Sequence, residues 1–242
     1  MPPLPKKDQE TAVHLNFQRL AKPELAHRFW LAVLVLMPLL VARVSFAQQS
    51  DGLATSASKT ILFLGDSISV GSGTSSPEKK YPTVLTRLLN AETKDGEFAA
   101  VNLAIGGSTL VDQFWPAPES SGYPHMLAQA IEQAPDVLVI QHGTNDNALG
   151  HSLGRFLWTY RETVREIKKN LPNTRIVCST ICPSWKTLSA TDEWVNQANA
   201  GIQEIAALEN TLLAQNYLKL RHRRELLPDG IHPNDEGARV VA

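Results

Sequence analysis

The sequence predicts an α/β protein, a three-layer α/β/α sandwich built around a parallel sheet. Short runs between residues 60 and 220 are apolar throughout rather than alternating, which is typical of strands covered on both faces. Longer amphipathic runs separate them, and strands that alternate with helices indicate βαβ units. Because such crossovers are right-handed, we expect helices on both faces of the sheet.

Five apolar runs are candidate strands, and the last is the weakest of them. In chain order they are residues 60–64, 99–103, 137–141, 175–181 and 217–220. Four amphipathic runs are candidate helices, namely residues 82–91, 124–133, 153–170 and 192–215. The first begins with Pro82, which suits a first helical turn, and the third carries apolar side chains at three- and four-residue spacing.

Residues 1–47 have the order of a secretory signal peptide. Basic residues precede an apolar run at 29–42, and Ser45 and Ala47 supply the small residues of a cleavage site. The apolar run is shorter than the roughly 20 residues of a membrane span, so we expect cleavage after Ala47 and no membrane span in the mature protein. The alternative is an uncleaved anchor, because the basic leader is long and Arg43 precedes the cleavage site.

Residues 48–59 are small and polar and predict a linker to a single domain at residues 60–242. A cleaved signal peptide would deliver this domain to the periplasm or the extracellular space. The formal net charge of the whole chain is −1, and no basic patch is interleaved with aromatic residues, so we expect no nucleic-acid partner. The charge does not indicate an anionic-membrane partner either, and the sequence does not specify the oligomeric state.

Two cysteines, Cys178 and Cys182, are too few for a disulfide scaffold. Two buried free thiols are the favoured interpretation, and a bridge is the alternative if the strand turns before Cys182. The sequence has no His, Asp and Glu cluster at metal-ligand spacing and neither a GxGxxG nor a GK[ST] motif. We therefore expect neither a metal nor another cofactor.

Polar clusters follow the predicted strands, at the edge where a parallel sheet binds its ligands. Residues 65–69 (GDSIS) follow the first strand, 104–108 (AIGGS) the second and 143–146 (GTND) the third. Residues 229–233 (DGIHP) lie near the C-terminus. Four polar clusters at one edge of a sheet predict an active site.

These clusters contain the groups that serine-based acyl transfer requires. The hydroxyl of Ser67 becomes a nucleophile when a histidine takes its proton, and a carboxylate must fix the tautomer of that histidine. Asp229 and His232 stand three residues apart, so a single turn can hold the pair. The N–H of Gly107 and the side-chain amide of Asn145 are suitable donors for a developing oxyanion.

At these residues the sequence resembles the SGNH hydrolases, also known as GDSL esterases and lipases. The four blocks of that family are matched in order: GDS at 65–67, Gly107 within NLAIGGST, GTND at 143–146 and DGIHP at 229–233. The resemblance runs from about residue 60 to the end of the chain. It implies a flavodoxin-like sandwich with a five-stranded parallel sheet.

The same resemblance implies a role for each site residue. Ser67 is the expected nucleophile, His232 the general base and Asp229 its partner. The expected oxyanion hole consists of the N–H of Ser67, the N–H of Gly107 and Asn145 Nδ2.

Neighbouring residues have structural interpretations. Gly106 leaves open which of two glycines donates, and the spacing of the family block favours Gly107. Asp66 and Asp146 are expected to hold loops through backbone hydrogen bonds rather than to take part in the chemistry. For His142, beside the third block, we expect a structural or substrate-lining role.

The resemblance implies a serine esterase that acts on a small-molecule carboxylic ester through an acyl-enzyme intermediate. GTNDNALG and the Tyr81-Pro82 pair resemble small periplasmic esterases and lysophospholipases, which favours short acyl or aryl esters, thioesters or lysophospholipids. Removal of O-acetyl groups from carbohydrate is the alternative reaction. A catalytically silent ligand-binding protein is the alternative of a different class.

The C-terminal segment departs from the family. Members usually continue into a full helix after the histidine block, and residues 234–242 hold only its first turns. We therefore expect the C-terminal helix to be truncated, which would expose the apolar surface on which it docks.

Overall fold

A computed structural model of the chain describes residues 58–93, 97–114, 126–185 and 192–242. All of them fall within one structural unit, residues 52–242. The predicted signal peptide at 1–47 lies outside the described residues. So does the predicted linker at 48–59 up to residue 57, and Lys59 already begins the first strand.

A five-stranded parallel sheet, of spatial order β2-β1-β3-β4-β5, forms the centre of the fold. Its strands are β1 (Lys59–Gly65), β2 (Phe98–Asn102), β3 (Val137–Gln141), β4 (Arg175–Ser179) and β5 (Leu212–Ala214). This is the flavodoxin-like order, so the predicted fold class is confirmed. In such sheets ligands bind at the carboxyl edge where the chain order reverses, here between β1 and β3.

Helices cover both faces of the sheet, and single 3₁₀ turns lie at Pro77–Lys79 and Arg224–Leu226. The described helices are α1 (Ser67–Val70), α2 (Tyr81–Glu92), α3 (Leu110–Phe114), α4 (Met126–Gln133), α5 (Thr144–Ala148), α6 (Leu153–Asn170), α7 (Asp192–Leu208), α8 (Asn216–Leu220) and α9 (Asp235–Val241). Within the residues that the structure describes, no helix is both long and apolar enough to cross a membrane.

Alternate strand side chains build one core on each face of the sheet. On one face Leu62, Leu138 and Ile176 pack with α4, α6 and α7. On the other face Ile61 and Val139 pack with α2, α8 and α9. All five side chains are buried, and burying an aliphatic side chain of this size stabilises a fold by about 1.5–3 kcal/mol.

The face that carries α9 also holds an apolar groove of about 540 Å³. Ile61, Val139 and Val177 contribute to its lining, together with the last two residues of the chain, Val241 and Ala242. Residues 234–242 are predicted to hold the first turns of a helix, and within them Asp235–Val241 form α9, which is seven residues long and has Asn234 as its N-cap.

The weakest strand prediction is wrong. Residues 217–220 belong to α8, where Tyr217 and Leu220 lie three residues apart and Leu220 is fully buried. The fifth strand is β5, inside the helix predicted at 192–215. That helix ends at Leu208, and Asn210 then turns the chain with a φ of +50°. A strand of three residues is too short for periodicity to separate it from the end of a helix.

Candidate active site

Ser67 lies two residues after the end of β1, at the first position of helix α1. Asp66 caps this helix, because its Oδ1 accepts a hydrogen bond from the N–H of Ile68 at 2.9 Å. Asn102, at the end of β2, donates from Nδ2 to the carbonyl of Ser69 at 2.7 Å. These bonds hold the Ser67 hydroxyl at the carboxyl edge of the sheet, beside the point where the chain order reverses.

Asp229 and His232 lie on the loop that precedes α9, and their side chains form a hydrogen bond. His232 Nδ1 is 2.6 Å from Asp229 Oδ2, and the N–H groups of Ile231 and His232 donate to Asp229 Oδ1 at 2.9 and 2.7 Å. Partial burial opposes ionisation of Asp229, but these hydrogen bonds outweigh it and lower its pKa to about 2. The carboxylate therefore holds a proton on Nδ1 and leaves Nε2 free to act as a base.

The two segments meet where Ser67 Oγ lies 2.8 Å from His232 Nε2, across a sequence separation of 165 residues. The structure thus brings together the three residues of the predicted triad. A continuous path of hydrogen bonds runs from the carboxylate of Asp229 through the imidazole to the hydroxyl. Such a path can move a proton from the serine to the histidine.

The loop of His232 is held by contacts that the sequence did not indicate. The N–H and Oγ of Ser75 donate to the carboxylate of Asp235, at 2.8 and 2.6 Å. The N–H of Trp185, after β4, donates to the carbonyl of Gly230 at 2.8 Å. These partners lie far apart along the chain, so no local motif could have revealed them.

A cavity of about 330 Å³ opens beside the serine, and its lining includes Ser67, Gly106, Gly107, Asn145, Ala148 and His232. Gly107 has a φ of +80°, in the left-handed region that favours glycine. Its N–H and that of Ser67 donate to no other residue in the described ranges. Asn145 Nδ2 donates to the carbonyl of Ser108 at 2.9 Å, and its second hydrogen remains available. The cavity therefore has three donors of the kind that stabilises an oxyanion.

Asp66, Asp146 and His142 surround these groups without lining the described cavity. Both carboxylates accept backbone hydrogen bonds, as predicted. Burial, together with the nearby charge of Asp146, raises the pKa of Asp66 to about 7. Burial lowers the pKa of His142 to about 3, so its ring is neutral, and neither ring nitrogen has a partner among the described residues.

Among the described residues, no group of three or more His, Cys, Asp or Glu side chains is placed to hold a metal ion. Cys178 and Cys182 are buried free thiols, which agrees with the favoured interpretation of the sequence.

Residues 63–240 match the family model of the GDSL-like lipase/acylhydrolase family. No curated protein matches the sequence. Among solved structures, the psychrotrophic esterase EstA from Pseudoalteromonas sp., inhibited by monoethylphosphonate, is 19% identical and has a TM-score of 0.57, with 76% of this chain and 92% of that chain covered. The acetylxylan esterase Axe2 from Geobacillus stearothermophilus is 22% identical and has a TM-score of 0.58, and the match covers 78% of this chain and 93% of that chain. A two-domain esterase active on acetylated mannans is 24% identical and has a TM-score of 0.57, and the match covers 76% of this chain and 46% of that chain. At these identities the likeness is one of fold.

Proposed function

The chain belongs to the GDSL-like lipase/acylhydrolase family, and we propose that it hydrolyses carboxylic esters through an acyl-enzyme intermediate on Ser67. The observation that carries this proposal is the hydrogen-bonded path from Asp229 to Ser67 through His232, with lengths of 2.6 and 2.8 Å. The path ends on a hydroxyl that borders a cavity whose lining includes Gly107 and Asn145, two further hydrogen-bond donors.

In the first step Ser67 Oγ attacks the ester carbonyl while His232 Nε2 takes the hydroxyl proton. The N–H groups of Ser67 and Gly107 and the amide of Asn145 stabilise the charge on the former carbonyl oxygen, and losing one such donor typically costs about 10²–10³ in rate. The tetrahedral intermediate then breaks its bond to the alcohol oxygen, which leaves with the proton from His232. In the second step His232 deprotonates a water that attacks the acyl carbon, and the acid leaves as Ser67 recovers its proton.

Esters of short acyl chains, including aryl esters and thioesters, are the substrates that we propose first. Lysophospholipids, whose acyl chains are long, belong to the proposal through the resemblance of residues 143–150 and the Tyr81-Pro82 pair rather than through the cavity. The volume of the cavity, about 330 Å³, supports a small acyl group, and so do the small residues Gly106, Gly107 and Ala148 in its lining. The second candidate reaction is removal of acetyl groups from carbohydrate. The same small cavity favours it, and two of the similar structures belong to esterases that act on acetylated polysaccharides.

Hydrolysis of p-nitrophenyl acetate by the parent protein and by Ser67→Ala tests the proposal. We expect the variant to lose activity by a factor of about 10³ or more, because the nucleophile is gone. Ser76→Ala is a matched control, since it removes a serine hydroxyl from the following loop and should leave the rate unchanged. Equal rates in the parent and Ser67→Ala would instead favour the catalytically silent protein.

A substrate panel then separates the two candidate reactions. It compares kcat/KM for p-nitrophenyl acetate, butyrate and octanoate, a lysophosphatidylcholine and an acetylated xylan. A steep fall with acyl length and no release of acetate from xylan supports the short-ester proposal. Fast release of acetate from xylan favours the carbohydrate esterase.

We also propose that the domain acts outside the cytoplasm, on the strength of the signal-like residues 1–47. Expression of the full chain, fractionation of the cells and N-terminal sequencing test this proposal. A mature protein that begins at Gln48 in the periplasm or medium is the expected result. An intact N-terminus in the membrane fraction would support the uncleaved anchor.

A further inference from the structure

Asp146 connects helix α5 to the start of helix α3, and the proposed mechanism depends on the relative position of these two elements. This residue of α5 is fully buried. Its Oδ2 accepts a hydrogen bond from the N–H of Leu110 and its Oδ1 one from the N–H of Val111, each at 3.0 Å. Both donors belong to the first turn of α3, whose leading N–H groups have no partner within their own helix. A carboxylate from α5 therefore caps α3 from outside.

The residue before Asp146 holds the same segment one step earlier. Asn145 Nδ2 donates to the carbonyl of Ser108 at 2.9 Å. Two consecutive residues of α5 thus form three hydrogen bonds with residues 108–111, the segment that directly follows Gly107. The remaining bonds of Ser108, from its N–H and Oγ to the carbonyl of Ile105 and from its Oγ to that of Gly65, tie the turn to itself and to β1.

We propose that Asp146 is a positioning residue that sets the spacing between the oxyanion donors Gly107 N–H and Asn145 Nδ2. This inference rests on the proposed function. Oxyanion donors work only when they lie about 2.7–3.1 Å from the place that the oxygen occupies in the transition state. One donor lies on the segment before α3 and the other on α5, and the paired bonds of Asp146 fix these elements to each other. Asp146 touches no reacting atom and acts through the two donors.

Asp146→Asn tests this role with little change in side-chain size. The amide turns one acceptor oxygen into an NH₂ group that faces a backbone N–H, so the first turn of α3 must move away. We expect kcat to fall about 10- to 100-fold while KM changes less than about threefold, because the donors are displaced rather than removed. Asp136→Asn is the matched control, since Asp136 Oδ2 accepts the N–H of Thr60 at 2.7 Å at the opposite edge of the sheet. It should leave kcat unchanged.

A double-mutant cycle with Asn145→Ala distinguishes positioning from a general effect on the fold. If Asp146 acts through the spacing of the donors, Asp146→Asn should cost at least about threefold less in kcat when Asn145 is already alanine. Additive losses, or a kcat for Asp146→Asn equal to that of the parent, would overturn the proposal. Ser67→Ala in the same assay distinguishes failure of this inference from failure of the proposed function. If Ser67→Ala stays active, the proposed function itself is wrong, whatever the effect of Asp146→Asn.

Asp146→Glu keeps the inference testable if Asp146→Asn does not fold, as judged by thermal unfolding. Glutamate retains two acceptor oxygens but is one methylene longer, so it should push the segment before α3 away from α5. We expect the same fall in kcat at nearly constant KM, with the carboxylate present. Full activity in folded Asp146→Glu would mean that the spacing does not depend on this side chain.

Discussion

Gly73 lies in the loop between α1 and α2, and it offers the sharpest test of how His232 is positioned. Its φ is +100°, and a Cβ at this position would lie 2.9 Å from His232 Cβ and 2.8 Å from the carbonyl oxygen of Pro233. Carbon atoms in contact normally lie about 3.5–4.0 Å apart. The substitution Gly73→Ala must therefore push the His232 loop and the Gly73 loop apart by roughly 0.6–1.1 Å.

A shift of this size acts directly on the 2.8 Å contact between His232 Nε2 and Ser67 Oγ. Misplacement of a catalytic group by about 1 Å can cost about 10²-fold in rate, so we expect kcat to fall about 10- to 100-fold. The left-handed backbone adds about 1–2 kcal/mol of strain for any residue with a side chain. Gly73→Ala should therefore lose both activity and stability.

Gly150→Ala separates these two effects. Gly150 also has a left-handed φ, +77°, but a Cβ there would meet no atom within 4 Å. The left-handed backbone should lower the free energy of unfolding of both variants by about the same amount, whereas only Gly73→Ala, with its steric clash, should lower kcat for p-nitrophenyl acetate. Steady-state kinetics and urea unfolding of both proteins check this. A kcat of Gly73→Ala equal to that of Gly150→Ala would refute the reasoning.

Three further predictions concern the Asp229 carboxylate, the buried Asp66 and the two buried thiols. Asp229→Asn should lower kcat about 10³–10⁴-fold, because an amide cannot hold the required imidazole tautomer; a loss below about tenfold in steady-state kinetics would contradict this role. Asp66, with its pKa raised by burial from 3.8 to about 7, keeps a proton in the folded protein that the unfolded chain loses, so the contribution of this group to the free energy of unfolding should fall by roughly 4 kcal/mol as the pH rises from about 4 to 7. Asp66→Asn should remove that part of the pH dependence, and an identical dependence in urea unfolding of parent and variant would contradict it. Burial raises the pKa of the Cys178 and Cys182 thiols, so a thiol reagent should label neither in the native protein and both after denaturation; labelling of the native protein would contradict the buried geometry.

The sequence predicted the parts of the fold that depend on local pattern. Strand β3, Val137–Gln141, has the predicted bounds because it is a continuous apolar run between turn-forming residues. Helix α6, Leu153–Asn170, has them because its buried residues, Phe156 and Tyr160 among them, repeat at helical spacing. Ser67 and His232 could be predicted as site residues because each belongs to a short sequence motif. Motifs that follow parallel strands lie at the same edge of the sheet, so the order of the elements along the chain was enough to place them near each other.

The sequence could not predict what depends on distant partners or on very short elements. Strand β5 has three residues and is held by pairing with β4, a contact that periodicity does not record. The bond of Ser75 to Asp235 spans 160 residues. Asp146 was expected to bind backbone groups, but its donors, Leu110 and Val111, become apparent only once α3 and α5 are packed together.

The proposed acyl-enzyme on Ser67 can be tested most directly by mapping the serine that reacts covalently. The protein is treated with a fluorophosphonate, digested and examined by peptide mass spectrometry, with Ser67→Ala in parallel. We predict one adduct, on the peptide that contains Ser67, and none in the variant. An adduct on a different serine, or continued ester hydrolysis by Ser67→Ala, would contradict the proposed mechanism.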